Sequence, residues 1–334
     1  MKNIGHRKNC YFKYSKTIEL INLVIGVFWQ GSKVKHYEGI YKEQYIKEIR
    51  NKYRLLGEIM NSLPNKGSEI LEFLLTDINL ETSHEYMKHI MSFNHEEFFY
   101  IFYGKYVDKK LIKDALKSDE GIEALYNRYE YISDSYLALR FLFYNKEQFI
   151  EDFFKCVKDL DTDEFQQATS DIDSQIEEER QYIDKGLRSH EPLEFSQVIM
   201  GKIFKNRGPY RNFIFMPSFF TSYKAIRYFD DDQILMYSPS IREFSSKDAL
   251  KALKVVSDES RFKILEILSE KGPIMGKDLA EDLGIATSTL SHHMEQLKGV
   301  GFINEERVKN SKYYSININS MDRFISYLDK KFKK

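Results

Sequence analysis

The sequence predicts a mostly α-helical protein with a small β component, divided into a large N-terminal domain over residues 1–240 and a smaller C-terminal domain over 245–334. Three observations carry this expectation. Residues 276–301 place apolar side chains at helical spacing in two short runs, each stopped by glycine. Residues 302–318 follow with an apolar-polar alternation around a polar turn, the pattern of a β-hairpin. Upstream, one helix-period segment succeeds another until about residue 213, where short strand-like runs enter and make the end of the N-terminal domain α+β.

Taken in chain order, residues 17–29 form an apolar element whose Ile and Val content leaves helix and strand undecided. Residues 41–60 predict one amphipathic helix with Tyr45, Ile49 and Leu56 among its apolar positions, followed by the turn Leu63-Pro64-Asn65-Lys66-Gly67. Short helices are expected over 70–75, 84–91, 96–103 and 111–116. Longer ones, aromatic on their buried faces, are expected over 122–143 and 146–160. Residues 172–183 are strongly charged and read as a solvated helix. Residues 195–204 look helical, and Asn206-Arg207-Gly208-Pro209 breaks them. Residues 213–216 and 234–237 predict short strands, separated by Pro217 and the acidic run Asp230-Asp231-Asp232. The domain boundary is expected at Ser238-Pro239-Ser240 and the segment to Ser246.

The C-terminal domain is the informative one. Leu279, Ala280 and Leu283 share a helix face, Gly284 stops that helix, and Ile285 plugs a tight turn. Leu290, Met294 and Leu297 define the buried face of a second helix, closed by Gly299 and Gly301. Two short helices joined in this way form a helix-turn-helix, whose second helix can enter the DNA major groove. At about 100° per residue, Ser288, His292, Glu295 and Gln296 point away from the buried face, flanked by Thr289 and Ser291. A merely solvated face is usually rich in Lys and Glu. Short hydroxyls, imidazole and amide are poor helix formers but good partners for base edges and phosphates. Thr287, Ser288, Thr289, Ser291, His292, His293 and Gln296 are therefore candidate DNA contacts. In the hairpin, Ile303 begins an alternation that resumes in Tyr314, Ile316 and Ile318, with Lys309-Asn310-Ser311-Lys312 as the polar turn. Arg307, Lys309, Asn310 and Lys312 crowd its tip, where a cationic loop can lie along a phosphate backbone. Lysines that only protect an edge strand are the alternative.

LKVVSDESRFKILEIL, GKDLAEDLGIATSTLSHHMEQLKGVGFI and KYYSI, in that order, resemble the ArsR-type winged-helix family of bacterial transcription regulators. The resemblance covers about ninety residues at the C-terminus. It implies a DNA-binding regulator, a repressor, that reads a palindrome on double-stranded DNA as a homodimer. Two positions depart from the family pattern. Ala286 stands where the family usually places a capping serine, leaving Thr287 or Ser288 as replacement caps. Residues 274–283 also lack the cysteine pair of the family's metal sensors. Leu250, Leu253 and Val256, with Phe324, Ile325 and Leu328, form two apolar stripes that suit either a dimer interface or the domain's own core. Phe-Met-Pro-Ser and Leu-Met-Tyr-Ser-Pro, before the boundary, look like the N-terminal domain found ahead of ArsR-type modules in some larger bacterial regulators.

Composition bounds the remaining possibilities. The 334 residues are 42% hydrophobic and 15% aromatic, enough for two substantial cores. The net charge of −1 conceals an asymmetry: 16 Lys+Arg against 13 Asp+Glu from Ser245 onward, and 34 against 38 before it. Cys10 and Cys156 have no metal-ligand spacing and read as reduced thiols. His84-Glu85 with His89 does not make a zinc-protease helix, because the histidines are five apart rather than four. His95-Glu96-Glu97 and Asp230-Asp231-Asp232 read as surface groups and a solvated turn before they read as metal sites. No phosphate-binding glycine loop, nucleophile elbow or paired-cysteine motif is present, so neither an enzyme nor a cofactor is expected. The apolar run 23–29 is too short to span a bilayer, which leaves a cytoplasmic protein as the expectation. The aromatic stock of the N-terminal domain suits either plain cores or a pocket for a small-molecule effector. A winged helix used for protein contacts, or an uncharacterised enzyme in the N-terminal domain, is the alternative.

Overall fold

The structure, a computed structural model, describes residues 2–5, 7–129, 131–200, 208–239, 246–308 and 311–333. The chain divides into two units, Met1–Ile241 and Arg242–Lys334. Helices dominate both, and each unit carries a small sheet.

In the first unit the undecided element is the helix Lys16–Phe28, started by Ser15, whose side chain accepts the Ile18 amide. Every residue from Thr17 to Phe28 is buried. A helix enclosed on all sides has no polar face, so its sequence carries no 3.6-residue period to read. The helix expected over 41–60 is two helices, Glu43–Lys52 and Arg54–Ser62, because the backbone leaves helical geometry at Tyr53 (φ −111°, ψ 36°). The one expected over 122–143 is likewise Asp119–Arg128 and Tyr136–Tyr144. In each case the apolar period runs on across the break, which hides it. Residues 68–75 wind as a 3-10 helix, and Lys146–Leu160 matches its expected span. Aromatic side chains fill the core between these helices; Phe99 and Phe143, for example, stack with ring centroids 4.0 Å apart.

Five strands form the sheet of this unit: β1 (Lys2–Asn3), β2 (Cys10–Phe12), β3 (Asn212–Pro217), β4 (Ala225–Phe229) and β5 (Asp232–Tyr237). Their order is β1-β2-β3-β5-β4, with β2, β3 and β5 parallel and both edges antiparallel. β1, β2 and β4 have no counterpart in the sequence expectations, being too short or too mixed to show alternation. On β3 and β5 the period of two sorts side chains between two layers. Ile214, Met216, Ile234 and Met236 join the large helical core, and Phe213, Phe215, Leu235 and Tyr237 join a second core. That second core includes Ile183 of the helix Asp173–Gly186 and Phe195 of Pro192–Met200. The first of these helices is not wholly solvated: Glu179 is buried and accepts the Tyr237 hydroxyl at 2.6 Å. The expected helical residues 201–204 and the break at 206–207 lie outside the described residues.

The second unit contains the helices Ser246–Val256, Glu259–Lys271, Gly276–Leu283, Thr287–Gly299 and Ile318–Phe332. Its sheet has β6 (Ile274–Met275), β7 (Ile303–Val308) and β8 (Ser311–Ile316), in the antiparallel order β6-β8-β7. This is the winged helix-turn-helix the sequence predicts. Val308 pairs with Ser311 in the hairpin. Ser311 and Lys312, expected in the turn, are strand residues. Ile318, expected to continue the strand alternation, instead opens the last helix and is exposed.

Candidate nucleic-acid interface

Two glycine caps fix the second helix of the motif in place. Gly284 adopts φ +63° and donates to Glu281, while the Ile285 amide reaches Ala280 at 3.1 Å, a Schellman closure of the first helix. The same device ends the second helix. Gly301 (φ +77°) donates to Lys298 at 2.9 Å, and the Phe302 amide to Leu297 at 3.0 Å. Phe302 and Leu297 are both fully buried, so the cap is locked by an apolar contact. A side chain at either glycine would strain the left-handed turn. Lys251 donates to the Gly299 carbonyl at 3.0 Å, which ties the helix end to Ser246–Val256.

The helix Thr287–Gly299 buries Leu290, Met294 and Leu297 and exposes Thr287, Ser288, Thr289, Ser291, His292, Glu295 and Gln296. Six of the seven helix residues nominated from the sequence are therefore on the open surface. The seventh, His293, is turned inward: its side chain is largely covered and its Nδ1 stands 3.9 Å from Asp258, the N-cap of Glu259–Lys271. At about 300° from Leu290 it falls on the shoulder of the buried face. Ser291 is exposed, but its hydroxyl donates to the Thr287 carbonyl at 2.9 Å, which satisfies a hydroxyl that would otherwise compete with the helix backbone. The expected replacement caps do not act: Ala286 itself is the N-cap, in extended geometry and with no side-chain hydrogen bond, so the helix starts at Thr287.

In the wing, Lys312 is exposed, and Arg307 is its register partner across the hairpin. The side chain of Arg307 and the whole of Lys309 and Asn310 lie outside the described residues. Lys312 is not alone: its ammonium is 3.4 Å from one oxygen of Glu305, whose other oxygen is 3.2 Å from Lys298 at the end of the second helix. Burial alone would raise the Glu305 carboxyl, and the two ammonium groups reverse this and hold it below its ordinary 4.5. Sequence reasoning missed Lys298 and Glu305. Lys298 sits seven residues before Glu305, a spacing that only the helix-to-strand turn at Gly301 makes meaningful.

Elsewhere the nominated chemical groups have structural partners. Thr82 and Glu85 form a reciprocal capping box at the start of Ser83–Met91. His89 contacts the Thr76 hydroxyl at 2.7 Å and His95 contacts Glu147 at 3.0 Å. Asp230 pairs with Lys105, and Asp232 with Arg211, at the turn between β4 and β5. Cys10 and Cys156 are fully buried in different cores, and burial pushes the Cys10 thiol up to about 12. Among the described residues no helix is long and apolar enough to cross a membrane.

Comparison with known proteins matches residues 258–305 to the family described as bacterial regulatory protein, arsR family. The chain is 34% identical over 85 residues to the arsenical resistance operon repressor of Staphylococcus aureus, covering 25% of this chain and 81% of that protein. It is 33% identical over 75 residues to the transcriptional repressor SdpR of Bacillus subtilis (strain 168), covering 22% and 82%. It is 28% identical over 92 residues to the cadmium resistance transcriptional regulatory protein CadC homolog of Staphylococcus aureus, covering 28% and 76%.

Proposed function

The chain belongs to the ArsR family of bacterial regulatory proteins, and from that membership we propose that it is a transcriptional repressor reading a palindromic operator as a homodimer. The observation that carries this is the exposed row Ser288, His292 and Gln296 on a helix whose opposite face, Leu290, Met294 and Leu297, is anchored in the domain core. A rigid helix presenting short donors and acceptors to solvent is suited to base edges in a major groove.

Two symmetric helices are needed to read a palindrome, and the apolar stripes bear on this. Helix Ser246–Val256 buries Ala249, Ala252 and Val255 in the domain core, while Leu250 and Leu253 of the apolar stripe are 60% and 43% exposed. It packs on Ile318–Phe332, where Phe324 is core while Ile325 and Phe332 are 56% and 76% exposed. Large apolar side chains left open on two packed helices support a second copy as their cover.

The N-terminal unit is proposed as a non-catalytic sensor of a small-molecule effector. Its aromatic side chains mostly stack on one another in the core, so the favoured location is an open cleft of about 620 Å³ lined in part by Lys52, Tyr53, Lys155 and Lys158. Lys52 and Lys155 already pair with Asp159 and Asp152 of the same cleft, so Lys158 would be the contact for an anionic group on the effector. Thiophilic metals are a poor fit, because both cysteines are buried in this unit. To reverse a 99:1 preference the effector must favour one DNA-affinity state by about 5.5 kcal/mol. The test is a gel shift of the full chain against fragmented genomic DNA, followed by footprinting. A protected palindrome with half-sites about 34 Å apart, or a multiple, is expected; protein that shifts no fragment in preference to another overturns the proposal.

A further inference from the structure

Lys298, Glu305 and Lys312 form a charged group that base reading does not use. Glu305 lies on β7 opposite Tyr314, so Lys312 is its diagonal neighbour on the same face of the hairpin. Lys298 reaches the same carboxylate from the last turn of the recognition helix. The carboxylate is the sheltered member: its side chain is 17% exposed, against 55% for Lys298 and 46% for Lys312. Each of its oxygens faces a different ammonium, the arrangement a DNA phosphate would offer two lysines at a protein surface.

We propose that Glu305 is an internal counter-anion that occupies Lys298 and Lys312, withholding both from the phosphate backbone and thereby lowering the affinity of the reader for DNA of any sequence. The inference rests on the DNA-reading role proposed above and adds a regulating residue to it. Sequence-independent affinity comes from cations that replace condensed counterions on DNA, and a lysine already neutralised by a carboxylate releases few. The Glu305 charge also repels phosphates directly. Lower random binding with base contacts intact raises the ratio of operator to random affinity.

The test uses the full chain and a random-sequence duplex, titrated over a range of salt concentrations. Glu305→Gln keeps the side-chain length and removes the charge. It is expected to bind random DNA several-fold more tightly, with a log–log salt slope steeper by about 0.9 for each lysine freed. Glu305→Asp, which keeps the charge, is expected to retain the wild-type slope. Adding Lys298→Met and Lys312→Met to Glu305→Gln should abolish most of the gain. Lys298→Met in the otherwise native chain, with the lysine already clipped, should weaken random binding no more than about twofold; this variant also decides the matter if Glu305→Gln does not fold. Unchanged or weaker binding by Glu305→Gln overturns the proposal while leaving the DNA-reading role intact. So does a gain that survives loss of both lysines, since the effect would then be long-range charge alone. If neither the native chain nor Glu305→Gln binds any duplex, the DNA-reading role falls and this inference falls with it.

Discussion

Helices Lys16–Phe28 and Thr287–Gly299 are each thirteen residues long, and they put their polar side chains to opposite uses. In the first, Glu19 is buried and accepts the Ser218 hydroxyl at 2.6 Å and the Phe219 and Phe220 amides at 2.8 and 3.0 Å. Asn22 donates to the same Ser218 hydroxyl at 3.0 Å. These groups hold the loop after β3, and the hydrogen bonds they make are all inside the protein. In the second helix Ser288, Thr289, His292 and Gln296 are exposed, and among the described residues none of their side chains makes a hydrogen bond or ion pair with the protein. A polar group buried with its partners stabilises a fold; a polar group held rigidly in the open is available to a ligand.

Glu19 is the position where the buried network is most sensitive to substitution. Glu19→Ala leaves the Ser218 hydroxyl and the Phe219 and Phe220 amides without this acceptor and should cost the N-terminal unit about 3–5 kcal/mol. Trp29, the sole tryptophan of the chain, stacks on Tyr223 at 4.6 Å in this unit and reports its unfolding. A Trp29 denaturation midpoint that does not move would show that the loop is held by something else. Leu297→Ala, at a fully buried position beneath the recognition helix, should cost about 2–5 kcal/mol in the other unit. DNA binding should weaken while the Trp29 transition stays where it is. Loss of both would mean that the two units do not unfold separately.

The units should also answer pH with opposite signs. Burial pushes Glu19 and Glu69 up to about 7, outweighing the donors that face them, and pushes Glu72 up to about 8. Their unfolded values are near 4.5, so the N-terminal unit keeps its full stability from these groups below that pH and loses it as pH rises through 7 to 8. In the C-terminal unit, Asp258 is held below its ordinary value by the Arg261 amide, and Glu305 is held below its own by Lys298 and Lys312. That contribution is present above about 4.5 and is lost as pH falls, a smaller effect because these groups are partly open to solvent. Denaturation curves at pH 5 and pH 8 read by Trp29 check the first sign, and curves at pH 3 and pH 5 read by the far-ultraviolet circular dichroism of the C-terminal unit's transition check the second. A Trp29 midpoint that rises with pH contradicts the first.

The same contrast explains what the sequence made legible. Gly284, Gly301 and the Leu290-Met294-Leu297 face were readable because a half-exposed helix prints its period on the chain and its caps require particular residues. Lys16–Phe28 was not, since full burial erases that period. The break at Tyr53 was hidden because the apolar spacing continues through it. β2 depends on pairing with β3, some two hundred residues away, and β1 on pairing with β2, and two or three residues carry no alternation of their own. On Thr287–Gly299, the exposure of Ser288, His292 and Gln296 was legible from angle alone. His293 was nominated beside them without that argument, and a residue on the shoulder of a helix is assigned by its neighbours, here Asp258. Lys298 and Glu305 were missed because their meeting is a tertiary event.

The proposed function places base reading on the open polar row of Thr287–Gly299. The direct measurement is the affinity of the native chain, Ser288→Ala and His292→Ala for the footprinted operator and for a random duplex at one salt concentration. Each substitution should reduce the operator-to-random ratio by about 1–3 kcal/mol while leaving random binding within about twofold of native. If operator and random affinities fall together, or neither changes for either variant, this face of the helix does not read the sequence.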